Sequence, residues 1–170
     1  MPDAQPPPAP PAWVESRPEP AAPLRAATTT GRLQVGPNQA PAELVVECRA
    51  GSPISANLRL GGETGFDLSP YEGPDAWGET HKLLTVALDG RAAPPRNVSG
   101  WWTTSERFNL SFRLDAAEAL AWKAAAGRPL RIALPPAASG KPSPVLEAEF
   151  RLPADDRVLA AVIAPCLARP

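Results

Sequence analysis

Histidine transfers protons in many active sites near neutral pH, and this chain contains one histidine, His81. Acyl-transfer catalysis would require His81 beside a nucleophile, for which the candidates are Ser99 and Ser105. Neither serine lies in the Gly-x-Ser-x-Gly pattern of a nucleophile elbow. The sequence therefore predicts an exposed loop histidine and no catalytic triad.

Carboxylates provide a second kind of chemistry. Four of them follow one another in a polar stretch: Asp67, Glu72, Asp75 and Glu79. Their spacing is not that of a calcium-binding loop, so the sequence favours solvated side chains. Glu147 and Glu149 alternate on the outer face of a predicted strand, whereas glycosidases place two carboxylates across a cleft. We expect no metal, no cofactor and no catalytic residue.

The cysteines, Cys48 and Cys166, lie at opposite ends of the part of the chain that is able to fold. With His81 they give no zinc-ligand spacing. Two interpretations remain, a disulfide that joins the start of a domain to its end, or two buried thiols in a cytosolic protein. We expect the disulfide, which would place the protein outside the reducing cytosol.

Aromatic residues are the candidate partner-binding groups. Trp101 and Trp102 are adjacent, so in a strand they point to opposite faces and one of them faces solvent or a partner. Tyr71 and Trp77 lie in a Gly- and Pro-rich stretch, residues 61–80, which we interpret as a long loop. These four aromatic residues are the candidate contacts for another protein, and the alternative for Trp101 and Trp102 is a structural role in the core.

Composition divides the chain in two. Residues 1–41 contain 11 of the 24 prolines and only four Leu, Val, Ile or Phe residues. We interpret residues 1–41 as a disordered or extended leader that acts as a semi-rigid spacer. Residues 42–170 form one globular domain. The N-terminal residues do not resemble a signal peptide, and we expect an upstream signal or anchor that has been removed.

Apolar and polar residues alternate over several short segments of the domain, which predicts strands. The predicted strands are residues 44–48, 54–60, 82–89, 101–104, 108–114, 130–134 and 145–152. Asp115 and Glu118 form a capping-box-like start of a short helix, and Asp155 or Asp156 begins a final helix. The order predicts a mostly β fold, an antiparallel β-sandwich or barrel-like domain with one short inserted helix and a C-terminal helix.

Charge and hydropathy exclude two classes of partner. The formal net charge is −1 with acidic and basic residues interspersed, whereas a nucleic-acid groove needs a basic surplus on one face. No apolar run approaches the roughly 18 residues of a membrane-spanning helix. We expect neither nucleic-acid binding nor direct membrane insertion.

Several short segments, taken in order, resemble a bacterial family. They are residues 44–48, residues 84–90 followed by Trp101 or Trp102, residues 149–152, and Val158-Leu159 leading to Cys166. Together they resemble the VasI family of type VI secretion accessory proteins and, more distantly, the invasion-associated locus B family. The resemblance implies a disulfide-bearing periplasmic domain without catalysis, and it transfers no catalytic residue. The proline-rich leader and the 61–80 loop depart from it.

The function we expect is a non-catalytic binding or assembly module of the bacterial cell envelope that binds another envelope protein. The alternative is a periplasmic inhibitor or immunity protein that blocks an enzyme through the 61–80 loop, with Tyr71 and Trp77 as anchors. An enzyme is a third interpretation, which would require Asp67, Asp75 and Glu79 to meet in one cleft.

Overall fold

The structure is a computed structural model, and it describes residues 9–18, 21, 23–61, 64–104 and 107–167 of the 170 residues. Residues 1–8 of the predicted leader lie outside this part. Across the described residues no helix is long and apolar enough to cross a membrane.

The described part of the chain forms ten strands and two α-helices. The strands are β1 (Val14–Ser16), β2 (Leu24–Val35), β3 (Asn38–Arg49), β4 (Ile54–Gly61), β5 (Thr85–Leu88), β6 (Arg91–Ala92), β7 (Ser99–Thr104), β8 (Arg107–Leu114), β9 (Pro129–Leu134) and β10 (Leu146–Arg151). The helices are α1 (Ala116–Ala124) and α2 (Arg157–Leu167), and two short 3₁₀ turns cover Ser69–Tyr71 and Trp77–Glu79.

All ten strands belong to one antiparallel sheet. Its order is β6-β5-β9-β10-β2-β3-β4-β8-β7, and β1 pairs with β2 next to β10. The sheet curls into a half-barrel, and its two outermost strands, β6 and β7, are joined by residues 93–98 alone. The predicted antiparallel, barrel-like fold with an inserted helix and a C-terminal helix is confirmed.

The two longest strands include residues that the sequence analysis assigned to the leader. β2 pairs with β3 over their whole length, from Leu24 opposite Arg49 to Val35 opposite Asn38. Residues 24–41 are therefore part of the sheet, and the expected boundary at residue 41 falls inside β3. The proline count obscured this, because Pro37 lies in the hairpin turn and Pro41 precedes the point where β4 begins to pair with β3.

Alternate residues of every long strand line the concave face. β8 is typical, with Phe108, Leu110, Phe112 and Leu114 all buried, as its sequence pattern predicted. Helix α2 packs against β2 and β3 on this face, and α1 contributes Trp122, which meets Phe112 edge to face at 6.5 Å between ring centroids. Burial of these side chains from water is the main stabilising contribution.

The N-terminal segment also takes part in this core. Trp13 precedes β1, is buried and belongs to the same cluster as the sheet residues. Its neighbour Val14 is exposed. The indole of Trp13 therefore anchors the residues that lead into β1.

The short helix begins after Asp115, as its sequence predicted, but the Glu118 carboxylate binds Arg96 instead of completing a capping box. The Asp115 carboxylate accepts a hydrogen bond of 2.7 Å from the Glu118 amide, which satisfies one of the free N–H groups at a helix start. The helix ends at Ala124, and Gly127 has a φ of +77°, a conformation that glycine adopts without a steric penalty.

Cys48 on β3 and Cys166 on α2 form a disulfide, with 6.0 Å between their Cα atoms. The bond closes 118 residues and holds the last helix on the start of the sheet. The predicted pairing is confirmed. Because disulfides persist where thiols are not kept reduced, the bond indicates an oxidising, non-cytoplasmic environment.

Removing this bond is expected to destabilise the protein strongly. For a closed loop of 118 residues, chain entropy predicts that Cys48→Ala/Cys166→Ala lowers the free energy of unfolding by about 4–5 kcal/mol. Denaturant titration of the two proteins measures the difference. Reductant should destabilise the wild type equally and leave the variant unaffected. A decrease in the free energy of unfolding of less than about 1 kcal/mol would contradict a stabilising role of the disulfide.

Candidate partner-binding surface

Trp101 and Trp102 lie on β7, the last strand of the sheet. Their exposed fractions are 43% and 48%. Trp101 is opposite Asn109 on the convex face, and Trp102 is opposite Phe108 on the concave side. The ring of Trp102 meets Phe108 edge to face at 5.1 Å between centroids. The predicted opposite orientation is confirmed, and both indoles are exposed rather than one.

The outer edge of β7 is only partly paired. Its carbonyl at Gly100 accepts a hydrogen bond of 2.9 Å from the Gly73 amide, and Glu72 forms a parallel bridge with Gly100. In an antiparallel ladder the backbone groups of alternate residues point to the same side. The N–H and C=O of Trp102 therefore also point outward, and among the described residues they have no backbone partner on that side.

A cavity of about 400 Å³ opens beside Trp102. Its apolar walls include Phe66 and Leu68, and its polar side chains are Asp67, Ser69, Glu72 and Lys141. We call Trp101, Trp102, the outer edge of β7 and this cavity the β7 surface.

Asp67 is held as a carboxylate at the cavity wall. One oxygen accepts hydrogen bonds from the Ser69 hydroxyl at 2.6 Å and the Ser69 amide at 3.1 Å, and the other accepts from the Lys141 amide at 3.1 Å. The Ser69 hydroxyl has the largest effect, and these donors lower the pKa of Asp67. The carboxylate is therefore ionised at neutral pH, and the cavity carries Asp67 and Glu72 against Lys141.

Tyr71 is not a surface anchor, which corrects its assignment as a partner contact. Its side chain is fully buried, and its hydroxyl donates a hydrogen bond of 2.5 Å to the Pro135 carbonyl. Burial raises its pKa to about 12. The backbone fits closely around it, because a Cβ at Gly100 would lie 2.4 Å from the Tyr71 carbonyl oxygen. The stretch 64–80 therefore packs as part of the core instead of protruding.

Trp77 is also less available than the sequence indicated. It is partly buried against the core, and its ring stacks on His81 with 3.5 Å between centroids. The His81 Nδ1 lies 2.9 Å from the Trp77 carbonyl oxygen and 2.9 Å from the Thr80 hydroxyl. His81 is exposed, as predicted. The hydroxyl of the candidate Ser99 donates to Glu79 at 3.2 Å, and the other candidate, Ser105, lies outside the described residues.

A second groove, of about 680 Å³, lies where β4, β8 and β7 meet residues 96–99. Three charged residues line it, Glu79, Arg96 and Arg113, and the first two have hydrogen-bond partners. The Glu79 carboxylate accepts from the Ser99 hydroxyl at 3.2 Å and the Asp75 amide at 3.1 Å. Arg96 makes two hydrogen bonds to Glu118, at 2.8 and 2.5 Å.

The acidic residues do not meet in one cleft. Asp67 and Glu72 line the cavity beside Trp102, and Glu79 lines the other groove. Glu149 is exposed on β10 and lies 3.7 Å from Arg131. Within the described residues no cluster of three or more His, Cys, Asp or Glu side chains is suited to hold a metal ion. Asp67 and Glu79, two of the three carboxylates of the enzyme interpretation, do not line the same cavity.

A row of polar side chains lies behind Trp101 and was not expected from the sequence. Asn57 and Asn109 lie on the convex face of β4 and β8, yet both are buried, and the Asn109 amide donates to the Asn57 side-chain oxygen at 2.9 Å. Glu43 lies beside this pair and binds Arg107 at 3.1 Å. An asparagine at a predicted outward position of two neighbouring strands was the available signal, but strand pairing is required to bring the two together.

Comparison with protein-family models, curated proteins and solved structures finds no significant match to this chain.

The alkaline titration of Tyr71 distinguishes a core tyrosine from a surface anchor. Unfolded tyrosine ionises near pH 10, and the folded protein holds the proton until about pH 12. The stabilisation that this provides is therefore present below pH 10 and is lost as the pH rises from 10 to 12. Because the chain has one tyrosine, tyrosinate absorbance measures this group alone.

Tyr71→Phe is the matched variant. It removes the hydroxyl that donates to Pro135, and it should lower the free energy of unfolding at pH 7 by about 1–2 kcal/mol. The difference between the two proteins should shrink above pH 10. A titration midpoint near pH 10 in the folded protein would contradict the buried position.

Proposed function

We propose that this protein is a non-catalytic binding or assembly module of the bacterial cell envelope, and that it binds another envelope protein through the β7 surface. One observation carries the proposal. Two adjacent tryptophans are each more than 40% exposed on the edge strand of the sheet, where part of the backbone is also unpaired. Tryptophan is among the residues that most often dominate the energy of protein interfaces.

The position of the two indoles supports an interface rather than a structural role. The other large exposed apolar side chains, Val14, Leu120 and Val145, lie on separate elements. Isolated apolar residues are ordinary on a protein surface. Two exposed indoles on one edge strand instead offer a partner aromatic contacts on both faces of that edge. The unpaired backbone N–H and C=O groups of an edge strand can also form hydrogen bonds with another chain.

The compartment follows from two arguments. The disulfide favours an oxidising environment, and the resemblance to the VasI family suggests the bacterial periplasm and a role as a secretion accessory protein. The proline-rich stretch before β1 would serve as a spacer from an upstream anchor.

The inhibitor alternative receives no support from the packing of its functional element. It required residues 61–80 to protrude into an enzyme cleft. Phe66 and Tyr71 instead belong to the core, so removal of this stretch would open the concave face to water.

Photo-crosslinking tests the proposal directly. A photoreactive residue at Thr103, an exposed position on β7, leaves both tryptophans in place. In the bacterium that makes the protein, we expect it to capture one envelope protein, identified by mass spectrometry and then purified. The same residue at Leu120, which is 47% exposed on α1, is the matched control and should capture nothing in common.

The purified pair then gives the energetic test. Trp101→Ala/Trp102→Ala should raise the dissociation constant about 100-fold, as expected for two interface anchors, while Leu120→Ala leaves it unchanged. Both variants should retain the disulfide and cooperative unfolding. Equal affinity of wild type and double variant, or identical crosslinks at both positions, would refute the proposal.

A further inference from the structure

Resting on the proposed function, we infer that the β7 surface recognises an extended, basic peptide segment of its partner. The segment adds to the sheet as a strand beside β7, and a lysine or arginine side chain enters the cavity next to Trp102.

The backbone geometry defines how the segment binds. Glu72 and Gly73 pair with the edge of β7 at Gly100. An added segment must therefore pair with the part of the edge beyond Gly100. There, the outward N–H and C=O of Trp102 are a donor and an acceptor without a backbone partner on that side among the described residues. An extended peptide satisfies such a pair with its own backbone, which is the recognition mode known as strand addition.

The direction of the side chains follows from the pleat. Neighbouring residues of an added strand point to opposite faces of the sheet. A residue on the concave side therefore lies beside Trp102 and faces the cavity of about 400 Å³. The next residue lies on the convex side, beside Trp101. The free edge is short, since the pairing with β8 is irregular between Trp102 and Thr104, and side chains must therefore supply much of the affinity.

The charges of the cavity select a cation. Asp67 is ionised, and Glu72 is exposed at the rim. Lys141 contributes one positive charge, so the lining carries a net negative charge. The face of an indole also attracts a cation, with arginine the more frequent partner. A long basic side chain uses the aromatic wall with its methylene groups and the carboxylates with its charged end, whereas an acidic side chain would be repelled.

Two short peptide probes test the charge. One alternates threonine and arginine, and the other alternates threonine and glutamate, with acetylated and amidated ends. Fluorescence anisotropy should give saturable binding for the arginine peptide, with a dissociation constant at least about tenfold lower than that of the glutamate peptide. Equal binding of the two probes, or binding of neither, would overturn the inference.

Variants then locate the contact. Trp102→Ala should weaken binding of the arginine peptide about tenfold, because it removes the aromatic wall. Glu72→Gln removes one exposed charge and should weaken it about two- to fivefold. Leu120→Ala and Glu147→Gln are the matched controls, since both side chains are exposed on other elements, and they should leave the dissociation constant unchanged. Equal losses in variants and controls would place the peptide elsewhere.

N-methylation of the peptide tests strand addition itself. In one isomer the methyl groups remove the N–H groups of even-numbered residues, and in the other those of odd-numbered residues. Only one set points toward β7 in a paired strand, so one isomer should bind about tenfold more weakly than the other. Equal affinity of the two isomers would refute backbone pairing.

These results are separable from the proposed function. If crosslinking at Thr103 identifies an envelope partner while both peptide probes fail to bind, the proposed binding function is supported and the inference of a basic added strand is wrong. If the arginine peptide binds at Trp102 while no envelope protein is captured, the inferred recognition of a basic segment is supported and the proposed role in envelope assembly is wrong.

Discussion

The apolar side chains on the concave face of the curled sheet must be kept from water, and this requirement organises the rest of the molecule. A half-barrel leaves that face open, so other elements cover it. Helix α2 lies over β2 and β3, where the Cys48–Cys166 bond holds it. The stretch that contains Tyr71 covers the core near β7, and the Tyr71 hydroxyl donates a hydrogen bond to the Pro135 carbonyl. Each cover is held by its buried side chains together with a bond to a distant part of the chain.

This arrangement also explains why the candidate interface lies at β7. Tyr71 and Glu72 approach β7 only at Gly100, where the missing side chain leaves room for their backbone. Past that point none of the described residues pairs with the outer edge of the strand, and both tryptophans are partly exposed. The same covering stretch supplies Asp67, Ser69 and Glu72 to the cavity beside Trp102. The element that completes the core therefore also builds the acidic wall of the proposed binding surface.

Strands with a long alternating pattern, such as β8, were predicted within one residue of their observed ends. β2 was not, because alanine and threonine dominate its first half and the proline count of the surrounding residues suggested a leader. The site was predicted in part. Trp101 and Trp102 were identified from their adjacency, whereas Tyr71 was misassigned, because an aromatic residue in a polar, Gly-rich stretch has the same local sequence whether it is buried or exposed.

The sequence by itself determined the antiparallel class, the two helices and the cap at Asp115, since each depends on local periodicity. It also left each of the two cysteines one possible partner within the chain, but the fold decided that the bond forms, because it brings their Cα atoms to 6.0 Å. The tertiary structure alone decided which of the aromatic side chains are exposed and which carboxylates share a cavity. Those properties depend on contacts between segments far apart in the chain, such as Asp67 with Lys141 and Tyr71 with Pro135, and no local pattern encodes them.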